Sequence, residues 1–248
     1  MGVNKKLIAT FFFSTVLFAG PAQKVVTFLA PDGLLLTADA YIEDEKNPYM
    51  ILFHQEGSSR GEYRETAPRL MKFGYNCLAV DLRSGKEANY VQNESARLAL
   101  KTGKKNDYLS CLQDIKAAID YVRLSDTSRQ VILVGSSFSA SLCLMAAIHH
   151  PGVKAVIAFS PGEYFAPRLI LRDALAGFDK PALITGTTEE ASYWKELFSK
   201  TDLSRLTFFV PEKKKGVHGS RALSSVSEAQ TDYWIEVMLF LKKAGAGG

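Results

Sequence analysis

The feature that most constrains the fold of this 248-residue chain is an alternation of short apolar runs with longer segments of helical period. Runs such as Val131 to Val134 are apolar at every position, as expected of strands covered on both faces. The turn signal at Pro31 and Gly33 predicts an antiparallel hairpin between the first two strands. The runs predict eight strands, at residues 25–29, 34–41, 50–54, 76–81, 130–135, 155–160, 182–186 and 207–210.

Six segments carry the apolar spacing of amphipathic helices: residues 62–73, 108–124, 138–149, 167–176, 190–200 and 227–243. From the third strand onward, a helix-length segment usually separates one strand from the next. This order favours an α/β fold, with an eight-stranded, mostly parallel sheet and helices on both faces. The one long polar connection, residues 83–107, is interpreted as a loop near a functional pocket. No linker rich in Pro or Gly divides the chain, so one domain is expected from residue 23 to 248.

The first 22 residues have the composition of a targeting segment. Lys5 and Lys6 precede an apolar stretch over residues 7–20, and small residues follow as far as Ala22. This pattern is typical of a secretory signal peptide. The stretch is short for a membrane span, which needs about 20 apolar residues. We therefore expect cleavage near Ala22 and an exported protein, periplasmic or secreted, without a stable membrane anchor.

Composition excludes several classes of protein. A hydrophobic fraction of 47% and a charged fraction of 23% are typical of a packed domain rather than of a disordered or collagen-like chain. The formal net charge is only +4 and the basic residues are scattered, so no nucleic-acid-binding face is expected. The cysteines, Cys77, Cys111 and Cys143, lack the spacing of zinc ligands and are interpreted as buried free thiols. We expect no metal and no cofactor.

The strongest chemical signal follows the predicted strand at 130–135. There Gly135, Ser137 and Ser139 form a G-x-S-x-small pattern at a strand-to-helix junction. A sharp turn at such a junction lifts the central hydroxyl clear of the backbone. It needs small residues two positions before and after, because those backbones nearly touch. Ser137 is therefore the candidate nucleophile, with Ser136 and Ser139 as alternatives that fit the spacing less well. A Ser-rich loop that merely caps the helix is the plainer interpretation.

This pattern resembles the nucleophile elbow of the α/β-hydrolase superfamily, with Ser139 where glycine is usual. The resemblance covers nearly all of the chain after residue 22. It is closest to small single-domain serine hydrolases of the dienelactone-hydrolase-like or serine-aminopeptidase-like kind. It implies the α/β-hydrolase fold and the order nucleophile, acid, histidine along the chain. Only residues 161–180 separate the sixth and seventh predicted strands, so we expect no separate cap domain.

The resemblance also implies partners for Ser137. A serine hydroxyl needs a general base, and His218 lies between the last strand and the last helix, where superfamily members carry it. A carboxylate must then hold the imidazole. Glu189 and Glu190 both follow the predicted strand at 182–186 and both remain open. Glu189 fits the usual spacing from a glycine, whereas Glu190 fits a short Ser-Glu pattern of some small secreted relatives and is favoured.

Two backbone N–H groups are implied as donors to the oxyanion that forms during acyl transfer. One belongs to Phe138, directly after the candidate nucleophile. The other comes from residues 54–63, HQEGSSRGEY, which resemble an H-G-x-G motif with Gln55 in the glycine position. Arg60 and Glu62 are expected to hold this loop rather than to touch substrate.

Together these residues favour an exported serine hydrolase, first of all a carboxylesterase that cleaves small or exposed esters through a Ser-His-Glu acyl-enzyme mechanism. Two alternatives remain open. One is a peptidase or amidase that uses the same triad. The other is a catalytically silent binding protein on a hydrolase scaffold, which the departures at Gln55 and Ser139 motivate. The expected partner is a small-molecule ester or amide; the sequence indicates neither its acyl and alcohol groups nor the oligomeric state.

Overall fold

The computed structural model describes residues 23–245, and the signal peptide predicted for residues 1–22 lies outside them. The strands are β1 (Gln23–Leu29), β2 (Leu35–Tyr41), β3 (Tyr49–Phe53), β4 (Asn76–Val80), β5 (Glu87–Ala88), β6 (Val91–Gln92), β7 (Val131–Ser136), β8 (Val153–Phe159), β9 (Ala182–Thr185) and β10 (Leu206–Phe209). The helices are α1 (Thr66–Met71), α2 (Glu94–Lys101), α3 (Leu112–Arg123), α4 (Phe138–Ala147), α5 (Leu171–Ala174), α6 (Thr188–Leu197) and α7 (Gln230–Lys243).

Eight strands form one sheet in the order β1-β2-β4-β3-β7-β8-β9-β10. The pairs β1–β2 and β2–β4 are antiparallel and the other neighbours are parallel. These are the eight predicted strands, so the mostly parallel sheet and the first hairpin are confirmed. Because β7, β8 and β9 run in one direction, the loops that follow them meet at one edge of the sheet, where open α/β folds place their ligands.

The sheet separates two hydrophobic cores. Along β7 successive side chains point to opposite faces. Leu133 packs into the core that contains Ile115 of α3, whereas Ile132 packs into the core that contains Trp234 of α7. Every residue of β3, β4 and β7 is buried, as expected of strands covered on both sides.

The segment 83–107 is not the plain loop that its polarity predicts. It contains the β5–β6 hairpin and α2, and Asn93 caps α2 by accepting the Ala96 N–H on Oδ1 at 2.8 Å. The interpretation as a loop was wrong. The hairpin strands have only two residues each and α2 buries mainly small side chains, so neither element shows a run of large apolar residues. Those buried side chains are Ser95, Ala96 and Ala99.

The start of the same segment is fixed by a buried cation. Arg83 is fully buried, and its guanidinium pairs with Asp114 of α3 and with Asp32 of the first hairpin, each at 2.7 Å. Removing one partner of a buried pair typically costs about 3–5 kcal/mol, a large part of the net stability of a folded domain. The network therefore anchors residues 83–107 to the body of the fold.

Two helices are shorter than predicted. A 3-10 turn, Arg60–Tyr63, occupies the start of the segment predicted as helix 62–73, and the α-helix begins only at Thr66. The segment predicted as helix 167–176 contains only the four residues of α5, followed by a 3-10 turn at Leu175–Gly177. Between β8 and β9 the chain therefore adds no cap domain.

The three cysteines are buried and unpaired, as predicted. Burial raises the pKa of the Cys111 and Cys143 thiols well above the usual value, so both stay protonated near neutral pH. Within residues 23–245, no helix is long and apolar enough to cross a bilayer. The same residues include no group of His, Cys, Asp or Glu side chains arranged to hold a metal ion.

Candidate active site

Ser137 occupies a sharp turn between β7 and α4. Its φ of +60° and ψ of −125° lie in a region that non-glycine residues rarely adopt. Its N–H donates to the Phe159 carbonyl at 2.8 Å, which holds the turn against β8. A Cβ at Gly135 would lie 2.4 Å from Ala140 Cα, so a larger residue there would collide with backbone. The predicted strand–turn–helix geometry is therefore present.

Ser139, which stands where glycine is usual, fits the turn without a positive φ. The Ser139 hydroxyl donates to the Phe53 carbonyl at 2.8 Å and accepts the Ser136 N–H at 2.9 Å, so it ties α4 to the end of β3. The Ser136 hydroxyl in turn accepts the Ser220 N–H at 2.8 Å. Ser136 and Ser139 are 0% exposed and Ser137 is 6% exposed, which leaves Ser137 as the reachable hydroxyl of the three.

The His218 imidazole is held by Glu190. Because an ionised carboxylate can only accept, His218 Nδ1–H donates to Glu190 Oε1, and this tautomer leaves a lone pair on Nε2. Glu190 Oε2 accepts the Ser160 hydroxyl at 2.7 Å and the Thr187 N–H at 2.9 Å. Burial acts to raise the pKa of Glu190, but the bonds from His218 and Ser160 outweigh it and hold that pKa below the usual value. The structure thus brings Glu190 to His218, while Glu189 is exposed.

Local sequence explains the position of Glu190. Thr187 and Glu190 form a capping box at the start of α6, in which each side chain accepts the other's backbone N–H. Gly186 leaves room for the carboxylate, because a Cβ there would lie 2.2 Å from Glu190 Oε2. The Tyr233 hydroxyl of α7 donates to the Gly186 carbonyl at 2.8 Å and fixes the loop from the other side.

The loop that carries His218 docks against the end of β7. The Ser220 N–H donates to Ser136, next to Ser137 in the chain, and a Cβ at Gly219 would lie 2.6 Å from the Ser136 hydroxyl oxygen. Gly219 itself has a φ of +72°, which favours glycine. The fold therefore brings the hydroxyl-bearing turn and the imidazole loop together.

The Ser137 hydroxyl is bonded to Tyr164 in this arrangement. Tyr164 uses its own proton to donate to the Ser160 carbonyl at 2.9 Å, so it accepts from Ser137 at 3.3 Å. No hydrogen bond joins Ser137 and His218 within the described part of the chain. In this arrangement the Ser137 hydroxyl is therefore directed to Tyr164 and not to His218.

The two predicted oxyanion donors differ in their surroundings. The Phe138 N–H, in the first turn of α4, has no hydrogen-bond partner among the residues described. The Gln55 N–H donates to Glu62 Oε2 at 3.0 Å, so in this arrangement it is already occupied. Glu62 is buried and also accepts the Ser220 hydroxyl, because a buried carboxylate needs donors. The next amide, that of Glu56, has no partner within residues 23–245.

Arg60 and Glu62 hold the loop after β3, as expected. The Arg60 guanidinium pairs with Asp39 and Asp81, two carboxylates that are almost fully buried. Burial acts to lower the pKa of Arg60, but these two carboxylates raise it overall and keep the guanidinium charged. The backbone that presents Gln55 and Glu56 is therefore fixed at its far end.

Tyr164 lines a cleft of about 570 Å³. Tyr164, Tyr193, Ile170 and Leu197 form its apolar lining, and the charged residues Glu163, Arg172 and Glu196 also line it. Its volume lies within the usual range of small-molecule sites. The other aromatic side chains of these segments, Phe165 and Trp194, belong to the core instead.

The model of the dienelactone hydrolase family matches residues 35–200, more than half of the chain. The chain belongs to the dienelactone hydrolase family. No curated protein matches its sequence. Its fold is similar to that of an esterase from Pyrococcus furiosus, with 17% identity, a TM-score of 0.68, and coverage of 90% of this chain and 91% of that one. It is also similar to a dienelactone hydrolase from Anabaena variabilis, with 18% identity, a TM-score of 0.64, and coverage of 88% and 98%.

An α/β-hydrolase from Penicillium is similar as well, with 13% identity, a TM-score of 0.66, and coverage of 91% of this chain and 99% of that one. At these identities the solved structures show the fold alone, and the fold agrees with the predicted α/β-hydrolase architecture. With the family match, they make this dienelactone hydrolase family member a hydrolase of the α/β-hydrolase fold.

Sequence reasoning missed the polar residues that arrange this site. Ser160 follows β8 at the start of the run Ser160-Pro161-Gly162-Glu163-Tyr164, and no sequence pattern connects its hydroxyl with Ser137. The available signal was position, since this run follows the strand next to β7 at the same edge of the sheet. Glu62 was expected to hold its loop, but not to occupy the Gln55 amide.

Proposed function

We propose that the protein is a serine carboxylesterase that cleaves esters through an acyl-enzyme on Ser137. The observation that carries the proposal is the His218 imidazole, oriented by Glu190 in a loop docked beside the Ser137 turn. The Nδ1–H tautomer leaves Nε2 able to accept a proton, as a general base requires. The family, together with the esterase among the similar folds, supports esters as substrates.

In the proposed cycle, the Ser137 hydroxyl turns from Tyr164 toward His218 when substrate enters. His218 Nε2 takes the proton while Ser137 Oγ attacks the ester carbonyl carbon, and the carbonyl oxygen becomes an oxyanion. The imidazolium then protonates the departing alkoxide. The alcohol is released, and the acyl group remains bonded to Ser137 as an acyl-enzyme. Water repeats the sequence and releases the carboxylic acid and free Ser137. Glu190 remains ionised throughout and stabilises the imidazolium.

For the oxyanion we propose the Phe138 N–H as one donor, with the second from the loop after β3. The Glu56 N–H has no competing acceptor there, whereas Gln55 could serve only if Glu62 released its amide. Each donor of this kind is typically worth about 3 kcal/mol of transition-state stabilisation.

A fluorophosphonate probe tests the proposal directly, because it phosphonylates an activated serine hydroxyl. The purified protein is treated with the probe and digested, and the modified peptide is located by mass spectrometry. We expect a single adduct, on Ser137. An adduct on Ser136 or Ser139 would overturn the assignment. A protein that neither labels nor hydrolyses any ester, yet retains a partner on purification, would favour the silent binding scaffold instead.

A substrate panel separates the esterase from the amidase with the same triad. Initial rates are compared on p-nitrophenyl esters of increasing acyl length and on aminoacyl-anilides. Turnover of the esters alone is expected. Anilide turnover at a comparable kcat/KM would make the protein a peptidase or amidase.

Replacing Tyr164 by Phe is expected to accelerate fluorophosphonate labelling by about two- to tenfold, the value of one hydrogen bond. The substitution removes the acceptor that competes with His218 for the Ser137 proton and keeps the ring in the cleft wall. The second-order labelling rate constants of the variant and wild type measure the effect. Slower labelling by tenfold or more would show that the Tyr164 hydroxyl assists the reacting atoms instead.

A further inference from the structure

Ser160, directly after β8, is held in an unusual conformation. Its φ is +56°, in the left-handed region that a residue with a Cβ rarely adopts, and the residue is 0% exposed. Its N–H donates to the Thr185 carbonyl at 2.6 Å, so β9 helps to impose this backbone. Such conformations persist where the surrounding contacts over-determine them, and they cluster at functional sites.

The Ser160 side chain joins the two loops that carry the acid and the base. Its hydroxyl donates to Glu190 Oε2 at 2.7 Å and accepts the Gly219 N–H at 2.9 Å. Gly219 directly follows His218, whose Nδ1 binds the other oxygen of the same carboxylate. The hydroxyl thus closes a ring of contacts around the Glu190–His218 pair.

The Ser160 backbone reaches the third member of the site. Its carbonyl accepts the Tyr164 hydroxyl at 2.9 Å, and Tyr164 accepts from Ser137. One buried residue is therefore bonded directly to Glu190 and, through one intermediate, to both His218 and Ser137.

We propose that Ser160 is a positioning residue for the proposed serine hydrolase, which fixes Glu190 and the His218 loop in register with Ser137. The inference rests on the proposed function. Ser160 acts through the carboxylate and does not touch substrate, because the residue is fully buried and its single proton is donated to Glu190. Room for this contact is built into the chain, since a Cβ at Gly186 would lie 3.0 Å from Ser160 Oγ and still closer to Glu190.

The role has a consequence for pH dependence. A donor to the ionised carboxylate lowers its pKa, so loss of the Ser160 hydroxyl raises it. Because the pH profile of kcat/KM reports the ionisable groups of the free enzyme, its acid limb moves to higher pH with the pKa of Glu190. The charged and titratable groups that face Glu190 are His218, its neighbour Glu189 and the three tyrosines Tyr164, Tyr193 and Tyr233. The tyrosines have raised pKa values and do not titrate in that limb, and the exposed Glu189 keeps its surroundings in the Ser160 variants, so a shift of the limb reports the Glu190 carboxylate.

The test uses Ser160→Ala and Ser160→Gly, with Thr185→Val as the matched control. Both position-160 variants lose the hydroxyl, but glycine also accepts a positive φ without strain. Thr185→Val removes a neighbouring buried hydroxyl that has no hydrogen-bond partner among the described residues. In both Ser160 variants we expect kcat/KM for a p-nitrophenyl ester to fall about tenfold at neutral pH. The acid limb of its pH profile should move to higher pH by about one unit. Thr185→Val should match wild type in both respects.

A readout without substrate keeps this test separate from that of the proposed function. The His218 Nδ1 proton bonded to Glu190 should give a low-field proton NMR signal, identified by its loss in His218→Ala. That signal is expected to shift in both Ser160 variants and to stay in place in Thr185→Val. An unmoved signal or an unmoved acid limb would overturn the role of Ser160. A wild-type protein that shows the signal but neither labels nor cleaves esters would instead overturn the proposed function.

Discussion

Ser137→Ala is expected to lower kcat/KM for p-nitrophenyl esters by about four to six orders of magnitude, the usual cost of removing the nucleophile of a serine triad. No other serine of the turn can replace it, because Ser136 and Ser139 are fully buried and their hydroxyls are engaged in backbone contacts. The residual rate should be that of binding and oxyanion stabilisation alone. Steady-state kinetics and fluorophosphonate labelling both measure the effect.

Ser141→Ala is the matched control for that substitution. Ser141 is a buried serine one turn further along α4, and its hydroxyl donates to the Gly162 carbonyl at 2.9 Å rather than facing the site. It should keep activity within a few-fold of wild type and still label. Equal labelling of Ser137→Ala and wild type would remove Ser137 from the proposed role.

Glu190→Gln is expected to lower kcat/KM by about three to four orders of magnitude, because an amide in place of a triad acid favours the wrong histidine tautomer. Gln keeps the shape of Glu and can still close the capping box at the start of α6, so the fold should survive. Its side-chain amide, however, can present an N–H to His218, and because the amide is neutral it cannot form an ion pair with the imidazolium. Both kcat/KM and the thermal unfolding midpoint are measured on the same sample, so that a loss of activity is distinguished from a loss of fold.

Glu189→Gln is the control that decides between the two carboxylates left open by the sequence. Glu189 is exposed in the same first turn of α6, so its loss should change kcat/KM by less than about threefold, as surface substitutions usually do. A large loss in Glu189→Gln with an active Glu190→Gln would reverse the assignment of the acid.

Much of the fold was predictable because its strands are covered on both faces. Burial of that kind requires apolar residues at every position, as in β7, and this pattern is visible without tertiary information. The β5–β6 hairpin and α2 were not predictable in the same way. Their contacts are made by small residues and by polar anchors such as Asn93, whose partners lie elsewhere in the chain.

Within the candidate site, the sharp turn at Ser137 was predictable because its constraints are local. Gly135, Ser137 and Ser139 lie within five positions, and each must satisfy the same tight backbone approach. The meeting of His218 and Glu190 is a tertiary event, and only a resemblance could suggest it. Neighbouring residues of a helix point about 100° apart, so the rotation of α6 decides whether position 189 or 190 faces the imidazole.

The availability of the Gln55 amide could not be predicted either. Its N–H is taken by a carboxylate seven positions later, and that contact exists only because the 3-10 turn Arg60–Tyr63 folds Glu62 back into the site. Polar groups that close such contacts leave no periodic trace in a sequence. This explains why the residues that could attack substrate were easier to find than those that arrange them.

The capping box at the start of α6 gives Glu190 a structural role that is independent of the catalytic role proposed for it. A descendant that had abandoned hydrolysis would still gain from Glu or Gln at this position, because either residue secures the helix end. The His218 imidazole caps no helix in this way, and nearly half of its side chain is exposed. Among relatives of this chain, retention of the histidine should therefore be the better guide to which proteins keep the proposed activity.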